Sequence, residues 1–257
     1  MLVYDTGIRP LIDEWLAKEA EKVRDYGPYW SASSAGYCMR KLVFERLGVP
    51  PIKKDSDARR QRVFTAGHLF HKFIQDITKN AGVSIAQELE LQDEKLMVRG
   101  HFDDLVEITD KDGDKHLILY DIKTQHSKAF TWQKGRPPSY YHKMQAGTYM
   151  YMLRQKENIY GTATLDEARI LKISKDDLRM DENVINYDNE LETEVLDYWN
   201  TLNDYWNAQK IPPCTCDKHE GGFMAREQFN PYYFDGEPCS LKLLEKEDVW
   251  QAITQAA

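Results

Sequence analysis

Arg99–Lys123 reads RGHFDDLVEITDKDGDKHLILYDIK, and the alternation within and around it decides the fold. Leu96–Ile108 and Leu117–Thr124 have the period-2 pattern of half-buried β-strands, and Asp112-Gly113 between them is a tight-turn pair. The spacing therefore predicts an antiparallel hairpin. Asp103 falls within the first predicted strand. Asp121 and Lys123 lie two apart in the second, so their side chains share a face.

Working outward, Val83–Leu91 reads as a further strand, and the spacing predicts a helix over Val63–Asn80 with Phe64, Leu69, Phe73 and Ile77 as its core stripe. Asn80-Ala81-Gly82 ends that helix. Upstream, Ser33 or Ser34 can cap a helix reaching about Leu47, which Gly48 and Pro50-Pro51 stop, and Pro10–Val23 is amphipathic. The charged run Lys53–Arg62 is either a loop or the start of the next helix. Downstream, Phe130–Ser139 is a proline-containing loop before a helix over Tyr140–Lys156, and Ala168–Ile173 is a strand. Glu190–Gln209 is an acidic helix burying Leu191, Val195, Tyr198, Leu202, Tyr205 and Trp206, and Leu241–Thr254 is a last helix. This order predicts an α/β fold: a small central mixed sheet flanked by helices and wrapped by helical segments at both ends, in one domain of 257 residues. Within it, residues 1–82 form the N-terminal helical part, 83–175 the sheet and the helix packed on it, and 176–257 the C-terminal helical and cysteine-bearing part.

A hydrophobic content of 42% with 30% charged residues is ordinary for a globular chain. No apolar run approaches the about 20 residues of a bilayer span, and the N-terminus lacks the pattern of a signal peptide, so the expected location is the cytoplasm. The net charge of −8 is unevenly spread. From Ile122 through Lys156 there is no acid, while Lys123, Lys128, Lys134, Arg136, Lys143, Arg154 and Lys156 are basic. A basic, aromatic-rich segment beside carboxylates is either a solvated face or the footprint of a phosphate-handling metal enzyme. Trp132, Tyr140 and Tyr141 within it can stack on bases or pack internally.

The chemistry follows from the residue types. Phosphodiester hydrolysis needs a polarised phosphoryl oxygen and an activated water, which Mg²⁺ or Mn²⁺ on hard oxygen ligands can supply. Asp103 and Asp121 offer carboxylates from neighbouring strands, the carbonyl of Ile122 can add a third oxygen, and Lys123 can orient the water or offset developing charge. Asp104, Glu107 and the Asp110–Asp114 turn are not expected to take part. Asp110-x-Asp112-Gly113-Asp114 has the opening of a calcium loop but lacks its later acid. His68, His101, His116 and His142 share no spacing and read mostly as surface.

Four short motifs occur in order: Gly67-x-x-x-His71, Gly100-x-x-Asp103, Asp121-x-Lys123 and Gln145-x-x-x-Tyr149. In these the chain resembles the RecB-like branch of the PD-(D/E)XK nuclease superfamily, which has a restriction-endonuclease-like core. Within that branch it is most similar to the iron–sulfur exonucleases associated with CRISPR loci and their phage relatives. The resemblance implies that His71 is a metal ligand, Asp103 the acid of G-x-x-D, and Asp121 and Lys123 the acid and lysine of (D/E)-x-K. It further implies that Gln145 and Tyr149 organise the site and contact a DNA strand. Without it, Tyr149 reads as core and Gln145 as surface.

The resemblance extends to the cysteines. Cys38, Cys214, Cys216 and Cys239 match in number an early thiolate joined by three late ones around a 4Fe–4S cluster. The spacing departs from the family, because Cys214-x-Cys216 is followed by a long gap to Cys239. His219 is a competing ligand, so zinc is the alternative. The implied activity is a metal-dependent DNA exonuclease acting on single strands or frayed ends. The alternatives are a structure-specific endonuclease, or a DNA-end-binding subunit of a recombination or CRISPR spacer-acquisition assembly.

Overall fold

The structure, a computed structural model, describes residues 8–20, 27–52, 58–156, 164–218, 225–226 and 230–245. Helix α1 spans Arg9–Ala20. The short strand β1 (Trp30–Ser31) and a 3-10 turn (Ala32–Ser34) precede α2 (Met39–Arg46) and α3 (Ala58–Asn80). Strands β2 (Ser84–Gln87), β3 (Glu90–Asp93), β4 (Val98–His101), β5 (Asp104–Thr109) and β6 (Lys115–Gln125) follow. Then come α4 (Ser127–Gln133), α5 (Tyr140–Arg154), β7 (Thr164–Ser174), β8 (Met180–Asn186), α6 (Asn189–Asn207) and the short α7 (Lys242–Glu245).

The main sheet has the order β2-β5-β6-β7-β8, parallel only between β6 and β7, and a second sheet has the order β1-β4-β3. The fold is therefore the α/β class expected, a mixed sheet flanked by helices. Among the described residues no helix is long and apolar enough to cross a membrane.

The hairpin forms as read. Thr109 pairs with Lys115, and Asp110 closes the turn by accepting the backbone N–H groups of Asp112 and Asp114, each at 2.9 Å. The two longer strands do not form as read. Val83–Leu91 is split into β2 and β3, and Leu96–Ile108 into β4 and β5, with the halves in different sheets. Gln87 pairs with Asp104 in one sheet while Leu91 pairs with Gly100 in the other, so both arms cross between sheets at the same level. The bend is made by Glu88, at φ 48°, whose N–H donates to the carbonyl of Asp103. Asp103 thus lies in the crossover rather than within a strand.

Helix α5 is buried along most of its length because it fills the space between sheet and α6. A side chain at Gly147 would come within 2.9 Å of Leu191, so glycine there sets the approach of the two helices. Helix α6 is capped by Asp188, which accepts the N–H of Leu191 at 2.8 Å, and it buries Leu191, Val195, Tyr198, Trp199 and Leu202. Its predicted stripe omits Trp199, which is fully buried, and includes Tyr205 and Trp206, which are half-buried. The N-terminal part is locked on through Trp30, whose indole donates to Asn203 at 2.8 Å, with the Arg46 guanidinium stacked over Trp30 and Trp206.

Other expectations are corrected. Helix α2 begins at Met39 with Cys38 at its N-cap; Ser34 instead donates to the carbonyl of Ser31 in the 3-10 turn. The stripe assigned to α3 is its exposed side, with Leu69 66% exposed, because Phe70 and Ile74 are the residues packed on Ile122, Leu171 and Ile173. Helix α4 and strand β8 form where no element was read. The C-terminal helix is described only over Lys242–Glu245, and the ends expected at Val23 and Thr254 lie outside the described residues.

Candidate active site

The site is assembled at the bend between the sheets, where α3, β6 and α5 converge. A Cβ on Gly67 would lie 3.0 Å from the Thr124 hydroxyl, so the glycine of G-x-x-x-H lets α3 pass close to β6 one turn before His71. His71 Nδ1 lies 3.4 Å from Asp103 Oδ1, and Asp103 Oδ2 accepts the N–H of Ile122 at 2.6 Å. In a strand, one residue's N–H and C=O point to the same edge. The Ile122 carbonyl therefore faces the same side as Asp103, where β5 has already ended its pairing.

Asp121 is buried, at 4% exposure. Its Oδ1 accepts Lys123 Nζ at 2.9 Å and Gln145 Nε2 at 3.0 Å, and Lys123 Nζ also donates to Gln145 Oε1 at 3.1 Å. This closed triangle leaves Asp121 Oδ2 buried with no hydrogen-bond partner among the described residues. Burial pushes the Asp121 carboxyl up to about 6; Lys123 opposes the rise and Asp103 adds to it. Lys123 feels burial in the opposite sense, but the carboxylates of Asp121 and Asp103 outweigh it, so its pKa is raised. His71 is likewise pulled down by burial and carried above its ordinary value by Asp103.

His71 and Asp103 are joined by Glu88, which sequence reasoning missed. Single ligand atoms of these three all lie within 4.8 Å of one another, and Asp121 falls outside that set. Gln75 holds the arrangement by donating to Glu88 Oε1 at 2.9 Å and to the Asp103 carbonyl at 2.8 Å. Of the residues expected from sequence, His71, Asp103, Asp121, Lys123 and Gln145 thus lie together, with Glu88 added on the Asp103 side.

Tyr149 is buried, and its hydroxyl donates to the carbonyl of His101 at 2.8 Å, so it braces the G-x-x-D segment. A Cβ on Gly100 would lie 2.7 Å from that hydroxyl and 2.8 Å from Ala32 Cβ, which explains the glycine of the motif. Gln145, read from its residue type as surface, is buried in the site. Asp104 is buried too, but it accepts from Ser84, Gln87 and Thr78 and ties α3 to the sheet. His142, read as surface, is half-buried, and burial followed by the charges of Lys123 and Lys172 holds it down to about 3.

The acid-free segment leaves β6 after Gln125, two residues beyond Lys123. Lys128, Lys134 and Arg136 are exposed there, and Trp132 is 62% exposed with the Arg136 guanidinium 4.1 Å from its ring centre. Lys143 is not part of this free charge, because it pairs with Glu194 at 2.8 Å. Tyr141 stacks on Tyr37 at 4.6 Å and serves packing.

No protein-family model and no curated protein matches the chain. Among solved structures, the crystal structure of SSO0001 has a TM-score of 0.51 at 16% identity, over 82% of this chain and 90% of that one. The two share a fold. LHK-Exo in complex with dAMP gives a TM-score of 0.47 at 14% identity, over 77% of this chain and 93% of that one. The alkaline exonuclease LHK-Exo from Laribacter hongkongensis gives 0.43 at 17% identity, over 77% and 97%.

The cysteines converge away from this site. Cys38, Cys214, Cys216 and Cys239 place all four sulfurs within 4.8 Å of one another, with Cys38 and Cys214 at 3.9 Å and Cys216 and Cys239 at 3.5 Å. They join Phe44, Tyr232 and Leu243 in a second small core. His219, the competing ligand, lies outside the described residues.

Proposed function

We propose that the chain is a metal-dependent deoxyribonuclease of the PD-(D/E)XK superfamily, an exonuclease acting on single-stranded or frayed DNA ends. One observation carries this reading: the partnerless, buried Oδ2 of Asp121 beside Asp103 and His71. An unsatisfied carboxylate oxygen in a buried place is costly. A divalent cation removes that cost, and the donor set of carboxylate, imidazole and backbone carbonyl suits Mg²⁺ or Mn²⁺.

Asp103, Asp121, His71 and the Ile122 carbonyl are the residues that would hold the cation, with Glu88 as a further oxygen donor on the Asp103 side. When bound, the ion neutralises charge on the phosphoryl oxygens and lowers the pKa of a water. The protein's own share is positional. Lys123 is fixed by Asp121 and Gln145, so its ammonium is aimed before substrate arrives and can orient the attacking water or balance charge as it develops. Gln145 donates through Nε2 and accepts through Oε1, and so holds both catalytic side chains in one register. Tyr149 keeps the G-x-x-D backbone in place through His101. The exposed Lys128, Lys134 and Arg136 with Trp132 provide charge for a phosphate backbone and a face for a base.

The test is Mn²⁺-dependent digestion of end-labelled linear DNA by wild type and by Asp121→Ala and Lys123→Ala. Both substitutions should abolish cleavage with the fold intact, and full activity in both would refute the site. Circular single-stranded DNA should resist digestion; its cleavage would make the enzyme an endonuclease.

A further inference from the structure

We infer that the four cysteines hold a single tetrahedral zinc ion, and not the 4Fe–4S cluster that the family resemblance implies. The inference rests on how far apart the sulfurs lie. Four thiolates sharing one zinc at Zn–S of about 2.3 Å sit at the corners of a tetrahedron whose edge is about 3.8 Å. The observed separations of 3.5 and 3.9 Å, with every pair within 4.8 Å, bracket that edge. In a 4Fe–4S cube each thiolate binds a different iron, so the four iron atoms stand between the sulfurs and hold them about 6 Å apart. No pair of sulfurs here is that far apart.

The surroundings are built for a compact charged centre. Asn230 is 1% exposed, and its Nδ2 lies 3.5 Å from both Cys216 and Cys239 Sγ, so one buried amide serves two sulfurs. The N–H of Thr215 donates to Cys38 Sγ at 3.3 Å. Arg40 donates to the carbonyls of Pro212 and Cys239 and clamps the backbone of both late cysteine segments. Cys239 itself is held at φ 49°, a left-handed conformation that a β-carbon disfavours. Such outer contacts orient metal ligands and tune the centre. An all-sulfur tetrahedron suits zinc, which has no geometric preference of its own and takes four cysteines in closed structural sites. The four described thiols complete the shell without His219.

The centre would join residue 38, at the start of α2, to segments that follow α6, and so fasten the two ends of the domain. This role is independent of the proposed nuclease activity.

Protein expressed in medium with both iron and zinc, and purified anaerobically without chelator, should carry one zinc per chain, no acid-labile sulfide and no broad absorbance near 400 nm. Exchange with Co²⁺ should give the intense visible bands of a tetrahedral thiolate site. Asn230→Ala should keep the metal while weakening its retention against a competing chelator about 10-fold or more. Four iron and four sulfide per chain would overturn the inference, as would metal-free protein with four titratable thiols. None of these readouts depends on activity, so they stand whether or not the protein cleaves DNA.

Discussion

A carboxylate with one oxygen bonded to Lys123 and Gln145 and the other buried without a partner is costly to ionise, and this sets the pH behaviour expected of Asp121. Its folded pKa of about 6 lies above the ordinary value of 3.8. In the metal-free protein its contribution to stability is therefore fully present below about pH 4 and is lost as pH rises through 6. A bound cation reverses the preference, since only the ionised carboxylate is a good ligand. Mn²⁺ should accordingly raise the melting temperature more at pH 8 than at pH 5, and cleavage should fall as pH drops below about 6. His71, raised by Asp103, reinforces that loss at low pH. Differential scanning fluorimetry with and without Mn²⁺ at the two pH values checks this, and an equal shift at both would contradict it. Gln145→Ala should leave cation binding in place but slow cleavage about 10- to 100-fold, because it frees the Lys123 ammonium. Glu88→Gln should weaken Mn²⁺ affinity measured by calorimetry while preserving the fold. At this scale Asp121 and Lys123 were legible in the sequence as a pair, because D-x-K spacing on a strand dictates a shared face, and Asp103 was legible through the G-x-x-D motif. Glu88 was not, since what brings it to Asp103 is a backbone bend shared by two arms, and local spacing carries no trace of it.

Between elements, the crossover of β2–β3 and β4–β5 does the positioning. Alternation runs straight through both bends, so each arm reads as one long strand, and nothing in a period-2 pattern marks where a strand changes sheets. The glycines record the geometry better than the periodicity does. Gly100→Ala would drive a methyl into the Tyr149 hydroxyl and Ala32, and should cost about 1–3 kcal/mol of stability, measurable by urea denaturation. No change in midpoint would show that Tyr149 does not brace the motif there. Helix α3 was legible as a helix but not in its orientation. Phe64, Leu69, Phe73 and Ile77 form one apolar row and Phe70 and Ile74 another, and only the fold selects the second row for burial. Helix α6 was legible in most of its stripe, because Leu191, Val195, Tyr198 and Leu202 recur at helical spacing, while Trp199 beside them was missed.

Across the whole molecule, two centres divide the work between them. One lies at the bend of the sheets and is the proposed place of a cation and a phosphodiester; the other gathers the sulfurs of Cys38, Cys214, Cys216 and Cys239. The cysteines could be counted in the sequence, yet their mutual distances depend on tertiary closure between residue 38 and residues 214–239, which no spacing rule supplies. The basic run after β6 was legible as composition, and the structure separates its exposed members from Lys143, which Glu194 neutralises. The central claim is that Asp103, Asp121 and Lys123 form the cleavage site of a metal-dependent DNA nuclease. The most direct test is release of nucleotides from end-labelled linear DNA in Mn²⁺ by wild type beside Asp121→Ala, with both proteins verified as folded. The predicted result is digestion by wild type and a loss on the order of 10³-fold or more in the variant. Equal digestion by the two, or none by wild type with cation present, would contradict the account.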